Sequence, residues 1–556
     1  MVSGKGKAAG DVMKIALIST YAHPIALGLR YISSYLKTTG HDVVMLFMSS
    51  RRDTARVDYG AALLDDLASR LHDRDLIGVS LATATFHRAR VLTEHIRQAG
   101  IRAPVVWGGV HSTMAAEECL AYADAACIGP GEEPVLQLVE RVEAGRDPTM
   151  VPGLWFRAGG LLSDHTVRNA PGPLETRLDD LPFPDYELDT HWVAGRAALV
   201  PARPENMRGA LHTLRVLTAR GCPYHCTFCN NTALREVHGN FRPWVRLRSL
   251  DNVLAELRQA RACFPTIRAI NFVDDLFLVR SAEEIEAFAD RYNVEIGVPL
   301  EIDAFPNTVT ERKVRALARL PIQLVSMGIE SASDDTLKNI YRRPTTLARI
   351  AEAIQLFHRY QIRTEYHYIV SNPYEPDRNV VETMRFIASH HRGPAVLRVF
   401  PLMFYPGTPL YQRARADSLV GAQDHAVYDY MGTGALEVAK HDYLAVWLRA
   451  VLNLRNVGVP AWVCHRVIDF ATSRAVRKLL DRRWFCPAAF IGYQVVRKLV
   501  RNFVYQPFIR PLRHLRSAGR GGLRRASARW TVPKVNLAAA RRDHSRAGAL
   551  AEVRIL

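Results

Sequence analysis

The chain has 556 residues, 48% of them hydrophobic, and carries 73 Lys and Arg against 55 Asp and Glu, a formal net charge of +18. This fits several soluble domains. It contains no run of eighteen apolar residues, which argues against a spanning helix, and its eight cysteines show no disulfide framework.

Residues 12–144 alternate strand and helix patterns, with strands expected near 13–19, 42–48, 76–82, 103–107 and 125–129. Five such strands imply a doubly wound, Rossmann-like α/β sheet, which binds ligands beyond the carboxyl ends of its strands. Those ends carry Thr20-Tyr21-Ala22-His23, Ser80-Leu81-Ala82-Thr83, Gly108-Gly109-Val110-His111 and Gly131-Glu132-Glu133. Neither G-x-G-x-x-G nor G-x4-G-K-[ST] follows the first strand, so a phosphate-cradling loop is missing. A serine after the third strand and a Gly-Gly pair after the fourth, 28 positions apart, resemble the cobalamin-binding domain found ahead of radical S-adenosylmethionine (SAM) barrels. The resemblance implies cobalamin contacts at Ser80, Gly108, Gly109, His111, Gly131 and Glu132. It also implies a histidine-off cobalt, because the D-x-H-x-x-G motif is lacking: His23 has neither the aspartate nor the glycine, and Asp189-Thr190-His191 lies outside the domain. His23 stays open as an alternative cobalt ligand.

Residues 145–211 hold Pro171, Pro173, Pro182 and Pro184 and little periodicity, which reads as a connector crossing the surface. Asp180-Leu181-Pro182-Phe183-Pro184-Asp185-Tyr186 resembles the linker of the same family.

From 212 to 416 the alternation resumes, with six strands expected near 213–219, 268–274, 299–305, 322–329, 364–371 and 396–404. Ser281-Ala282-Glu283-Glu284 reads as a capping box opening one connecting helix. Parallel barrels place their chemistry at the C-terminal ends of strands, and polar signals gather there. After the first strand come Cys222, Cys226 and Cys229 at C-x3-C-x2-C spacing. Three thiolates can hold a 4Fe-4S cluster with one iron free to bind a ligand. A zinc site completed by His225 or His238 is the competing reading.

This loop, with Phe228 before its last cysteine, resembles the cluster motif of the radical SAM enzymes. In that family the free iron chelates SAM, whose reductive cleavage gives a 5'-deoxyadenosyl radical. The resemblance implies a partial (βα)6 TIM-type barrel and SAM contacts at Phe228, Asp274, Asp275, Glu330 and Ser331. Pro406-Gly407-Thr408-Pro409-Leu410-Tyr411 matches as well. Ser371-Asn372-Pro373-Tyr374-Glu375-Pro376 departs from the pattern, standing where many relatives carry Gly-x-Pro-Gly-Glu-Thr. The family resemblance covers about residues 12–416.

The remainder differs in charge. From Ala471 onward there are 20 Lys and Arg against 3 Asp and Glu, a net of +17. Residues 417–516 read as a helical basic region and 517–556 as a basic, disordered tail. The run Phe490 to Tyr505 alternates apolar and cationic residues, which suits an interfacial helix on a membrane, a helix packed on the barrel, or phosphate contact with nucleic acid. No RNA-binding signature accompanies it. The N-terminus lacks a secretory signal, and an oxygen-sensitive cluster implies a reducing cytoplasm, with docking on the inner membrane face as an added expectation. By resemblance the chain is a cobalamin-dependent radical SAM enzyme methylating an unactivated carbon of a small or lipid-like molecule through methylcobalamin, fed by a flavodoxin or ferredoxin. A radical cyclase and a non-catalytic cobalamin-binding regulator are the alternatives.

Overall fold

The computed structural model describes residues 12–21, 26–48, 59–203, 206, 212–391, 395–420, 443–456 and 458–480. The chain divides into units Met1–Ala489 and Phe490–Leu556, and the second lies wholly outside the described residues. His23, the amphipathic run from Phe490 and the tail 517–556 therefore fall outside them as well.

The N-terminal sheet has nine strands: β1 (Lys14–Ser19), β2 (Asp42–Phe47), β3 (Leu76–Ser80), β4 (Val105–Gly108), β5 (Ala125–Cys127), β6 (Leu154–Phe156), β7 (Val167–Arg168), β8 (Trp192–Ala194) and β9 (Leu199–Pro201). Their order is β7-β6-β5-β4-β3-β1-β2-β8-β9. The five expected strands form the parallel centre, and runs such as Val43 to Phe47 are buried on both faces because helices cover both.

The stretch 145–211 corrects its reading as a surface connector. It lays β6 antiparallel against β5 and β7 antiparallel against β6, and β8 parallel against β2 with β9 antiparallel beyond it. Each strand is two or three residues long, too short for a period-2 pattern to emerge. Asp185 pins this stretch to the sheet: its carboxylate accepts from Ser33 Oγ at 2.6 Å and His191 Nε2 at 3.0 Å, and lies 2.9 Å from Lys37 Nζ. His191 Nδ1 accepts from the Met45 amide, so this histidine is a buried structural group.

The second sheet holds β10 (Thr213–Val216), β13 (Ala269–Phe272), β14 (Leu300–Ala304), β15 (Ile322–Glu330), β16 (Thr364–Val370) and β17 (Val396–Pro401), in that spatial order and all parallel. A two-stranded antiparallel ribbon of β11 (Ala219–Arg220) and β12 (Arg246–Leu247), with the cysteine loop and the helix Asn230–Val237 between them in sequence, follows the first strand. Helices cover one face of the sheet, and the Ser281/Glu284 capping box opens one of them as the sequence predicts. The described C-terminal helices, Tyr443–Asn456, Ala461–Thr472 and Arg474–Leu480, continue that layer. Leu444, Leu448, Val451 and Ile468 join the barrel core, and Arg449 donates to the Val399 carbonyl.

His391 sits at this junction, fully buried, with its Nε2 2.7 Å from the Tyr368 hydroxyl. Burial, aided by Arg455 and His390, pushes its imidazole down to about 3. A histidine whose folded pKa lies below its unfolded value contributes stability above about pH 6.5 and loses it as pH falls. Between pH 6.5 and 5 this one group is expected to cost about 2 kcal/mol, at about 1.4 kcal/mol per unit. Denaturant unfolding of wild type and His391→Gln at both pH values checks it: the variant should show a correspondingly smaller drop.

Candidate functional site

The cysteine loop leaves β10 and is fixed by its backbone. Asp274, buried just beyond β13, accepts from the Thr218 amide at 2.5 Å, the Ala219 amide at 3.0 Å and the Thr218 hydroxyl. Burial raises its carboxyl to about 6 against the pull of those donors. Arg280 donates to the carbonyls of Thr218 and Arg248, both at 2.9 Å. Further along, Thr227 donates through its amide and hydroxyl to the Tyr341 and Ile340 carbonyls, and its own carbonyl accepts from the Leu410 amide. The Pro406-Gly407-Thr408 turn thus braces the loop. Gly407, at φ 81°, lies where an added Cβ would stand 2.7 Å from Met114 Sδ of the N-terminal domain.

Cys226 is buried, while Cys222 and Cys229 are half-buried. Burial pushes the thiols up, Cys222 to about 12 and Cys229 to about 11. Bare thiolates are therefore penalised here, and a bound cation relieves the penalty. Arg343 Nη1 reaches Cys226 Sγ at 3.7 Å, and Asn231 Nδ2 reaches Cys229 Sγ at 3.9 Å. These donors suit anionic sulfur. His225 Nε2 is engaged by Arg235 at 2.8 Å. Arg235 thus occupies the His225 nitrogen that a zinc site would need. The donor set fits a cluster.

The residues expected at SAM divide. Asp275 is exposed and accepts from Asn231 at 2.6 Å, beside Cys229. Glu330 ends β15 in a left-handed conformation, φ 69°, past a register shift. Such backbone in a non-glycine residue costs energy and collects at functional sites. Burial raises the Glu330 carboxyl against Arg343, and Arg343 bonds the Gly328 carbonyl at 2.5 Å and lies 4.2 Å from the Phe305 ring. Phe228 packs edge-on to Tyr341 at 5.0 Å. Asp274 and Ser331 face inward instead. Asp274 is spent on the loop, and Ser331 Oγ donates to Glu375 at 2.8 Å. Glu375 also accepts from Thr336, so the segment 371–376 is tied to the residues that follow β15, with Ser371 at φ 55°.

Sequence reasoning missed Arg343, Glu375 and the polarity of the helix-free face of the barrel sheet. Register places Arg215 beside Asn271 and Asn271 beside Glu301, Asp303 beside Ser326 and Ser326 beside Glu365, and His367 beside Arg398. Glu365 accepts from Arg398 at 2.6 Å and lies 2.9 Å from His367 Nε2. Burial raises the Asp303 carboxyl to about 6. The i, i+2 pairs Glu301/Asp303 and Glu365/His367 were the available signal.

In the N-terminal domain a cavity of about 220 Å³ opens at the strand ends. Ser80, Gly108, Gly109, Gly131 and Glu132 all line it, over apolar walls from Leu17, Leu76 and Val106. Gly109, at φ 109°, has no room for a Cβ, which would strike the Leu81 carbonyl. A slot walled by backbone and aliphatic groups fits the flat nucleotide base of cobalamin. His111, the sixth expected residue, belongs to the opposite side of the sheet: its Nδ1 lies 3.2 Å from Thr83 Oγ1 and its ring packs edge-on to Phe86. From the barrel, Leu217 and Arg220 complete the cavity wall, and Arg220 donates to Glu132 at 2.6 Å.

The model of the radical SAM superfamily matches residues 216–387, and that of the B12 binding domain matches residues 13–139. An uncharacterised methyltransferase of Pyrococcus horikoshii is 25% identical over 399 residues, covering 69% of this chain and 80% of that protein. An anaerobic magnesium-protoporphyrin IX monomethyl ester cyclase of Cereibacter sphaeroides is 24% identical over 389 residues, 66% of this chain and 57% of its own length. Among solved structures, the cobalamin-dependent S-adenosylmethionine radical enzyme OxsB, with aqua-cobalamin and S-adenosylmethionine bound, superposes with TM-score 0.62 over 90% of this chain and 81% of its own, at 13% identity. That likeness bears on the fold.

Asp274→Ala orphans two buried amides and a hydroxyl, at about 1–3 kcal/mol each. Iron and sulfide per chain after anaerobic reconstitution are expected to fall at least about twofold. The fraction that still carries a cluster should bind SAM as the wild type does; weakened SAM binding in that fraction would mark Asp274 as a direct contact.

Proposed function

Because the chain belongs to the radical SAM enzymes that carry a B12-binding domain, we propose that it transfers a methyl group to an unactivated carbon of a polar small molecule. The observation that carries this reading is the presence of five expected residues in the lining of one cavity, closed by Arg220 two positions before the first cluster cysteine. When bound, the cluster and SAM supply a hydrogen-abstracting radical and the cobalamin supplies the methyl group. The chain's own residues position and shield. Cys222, Cys226 and Cys229 would hold the cluster, with Arg343 and Asn231 donating toward sulfur. Phe228, Asp275 and Glu330 would contact SAM. The row of Asp303, Glu365, His367 and Arg398 favours a substrate with charged or hydrogen-bonding groups over a bare hydrocarbon, since burying unpaired charge is costly.

The cyclase among the relatives keeps ring closure as a second reading. Reduced, reconstituted protein incubated with methyl-labelled SAM and candidate substrates separates the two. Label entering product supports methylation, unlabelled product with 5'-deoxyadenosine supports cyclisation, and no 5'-deoxyadenosine with any substrate sinks both.

A Cβ at Gly108 would meet only Cys127 Cβ, at an ordinary 3.6 Å. Gly108→Leu should therefore keep the fold and its cluster content while its side chain fills the cavity. Cobalamin retention after gel filtration is expected to drop at least about tenfold, a loss of about 1.4 kcal/mol or more.

We further infer that the basic tail rests on a membrane surface. Trp462 and Phe470, just before the +17 segment, and Leu479, within it, are 57–70% exposed and support this. Flotation with anionic liposomes should capture the full chain more than one ending near residue 470; equal capture counts against the inference.

A further inference from the structure

Where the two domains meet, a buried ion pair spans the cavity wall and the cluster loop. Arg220 Nη2 donates to Glu132 Oε1 at 2.6 Å, the side chains being 17% and 9% exposed. The guanidinium also sits 5.2 Å from the centre of the Tyr31 ring. Glu132 begins the helix Glu132–Glu143 and lines the cavity beside Gly131. Arg220 lines the same cavity from the barrel side and lies two positions before Cys222.

Neither partner has slack. Gly221, between Arg220 and Cys222, holds φ 90° against the Trp244 carbonyl, where no Cβ would fit. Arg220 is paired with Arg246 in the antiparallel β11–β12 ribbon. Behind Tyr31, its hydroxyl meets Arg248 Nη1 at 3.4 Å, and Arg248 is ion-paired with Glu256 and bonded to the Leu217 carbonyl at 2.8 Å. In such a seam, separating one pair leaves buried charge uncompensated. Cavity wall and cluster loop therefore move together.

We propose that Arg220 and Glu132 are positioning residues that couple occupancy of the cavity to the electronic state of the cluster. This rests on the cobalamin reading of the cavity. Filling the cavity bears on Glu132, and the ion pair passes the displacement through Arg220 to Cys222. Linkage makes the effect reciprocal: cobalamin binds the oxidised and reduced cluster forms with different affinity.

The test uses the full chain with its cluster and, as probe, zinc-substituted cobalamin, which is silent in both EPR and redox titration. Saturating probe is expected to shift the cluster midpoint by about 40 mV or more, the equivalent of a roughly fivefold affinity difference for one electron, and to move the g values of the reduced cluster. In Glu132→Gln, titrated with probe until absorbance shows the cavity filled, both shifts vanish. Arg220→Lys, which keeps a cation opposite Glu132, recovers part of them, and serves alone if Glu132→Gln does not fold. A wild type that binds the probe without any shift overturns the coupling, as does a Glu132→Gln shift equal to that of wild type. Failure of the wild type to bind the probe at all removes the cobalamin reading instead.

Discussion

A loop that surrenders its cysteine side chains to a cluster has only its backbone left to hold it in place. Here that backbone is gripped from both sides. Asp274 takes the amides of Thr218 and Ala219 at the entrance, and the carbonyls of Ile340 and Tyr341 take Thr227 in the middle. The donors that reach sulfur, on Arg343 and Asn231, come from outside the short motif. The site is therefore assembled by the ends of several parallel strands, which is the property that makes barrel-like sheets versatile.

The same logic explains why polar groups are so dense around the site. The faces of the second sheet divide the labour: one gives apolar side chains to the helices, the other gives Arg215, Asp303, Glu365 and His367 to the interior. Between the domains, the Arg220–Glu132 ion pair of low exposure accompanies an apolar cluster of Tyr186 and Ala202 against Ala260 and Phe264. Such pairs add little net stability but make wrong registers expensive, which suits a joint that must keep two cofactors in a fixed relation.

Much of this was legible in the sequence. All eleven strands expected in the two domains are present, because long apolar runs between turn signals leave few alternatives. Five of the six residues that the resemblance implied for cobalamin line one cavity. What escaped had physical causes. Asp274 and Asp275 are adjacent, and a sequence cannot tell which of two neighbouring carboxylates turns inward. His111 follows a Gly-Gly pair whose backbone carries it to the other side of the sheet. Arg343 lies over one hundred positions from Cys226, with no motif to announce it. Strands of two or three residues carry too little pattern to be seen at all.

Those short strands have a practical meaning. β6 and β7 on one side, β8 and β9 on the other, occupy the hydrogen-bonding edges that β5 and β2 would otherwise present. Open edges of this kind recruit strands from other molecules. A fragment trimmed at residue 144 would keep the N-terminal domain's own share of the cavity lining yet bare both edges, so the smallest self-protected version of the N-terminal domain runs to about residue 203.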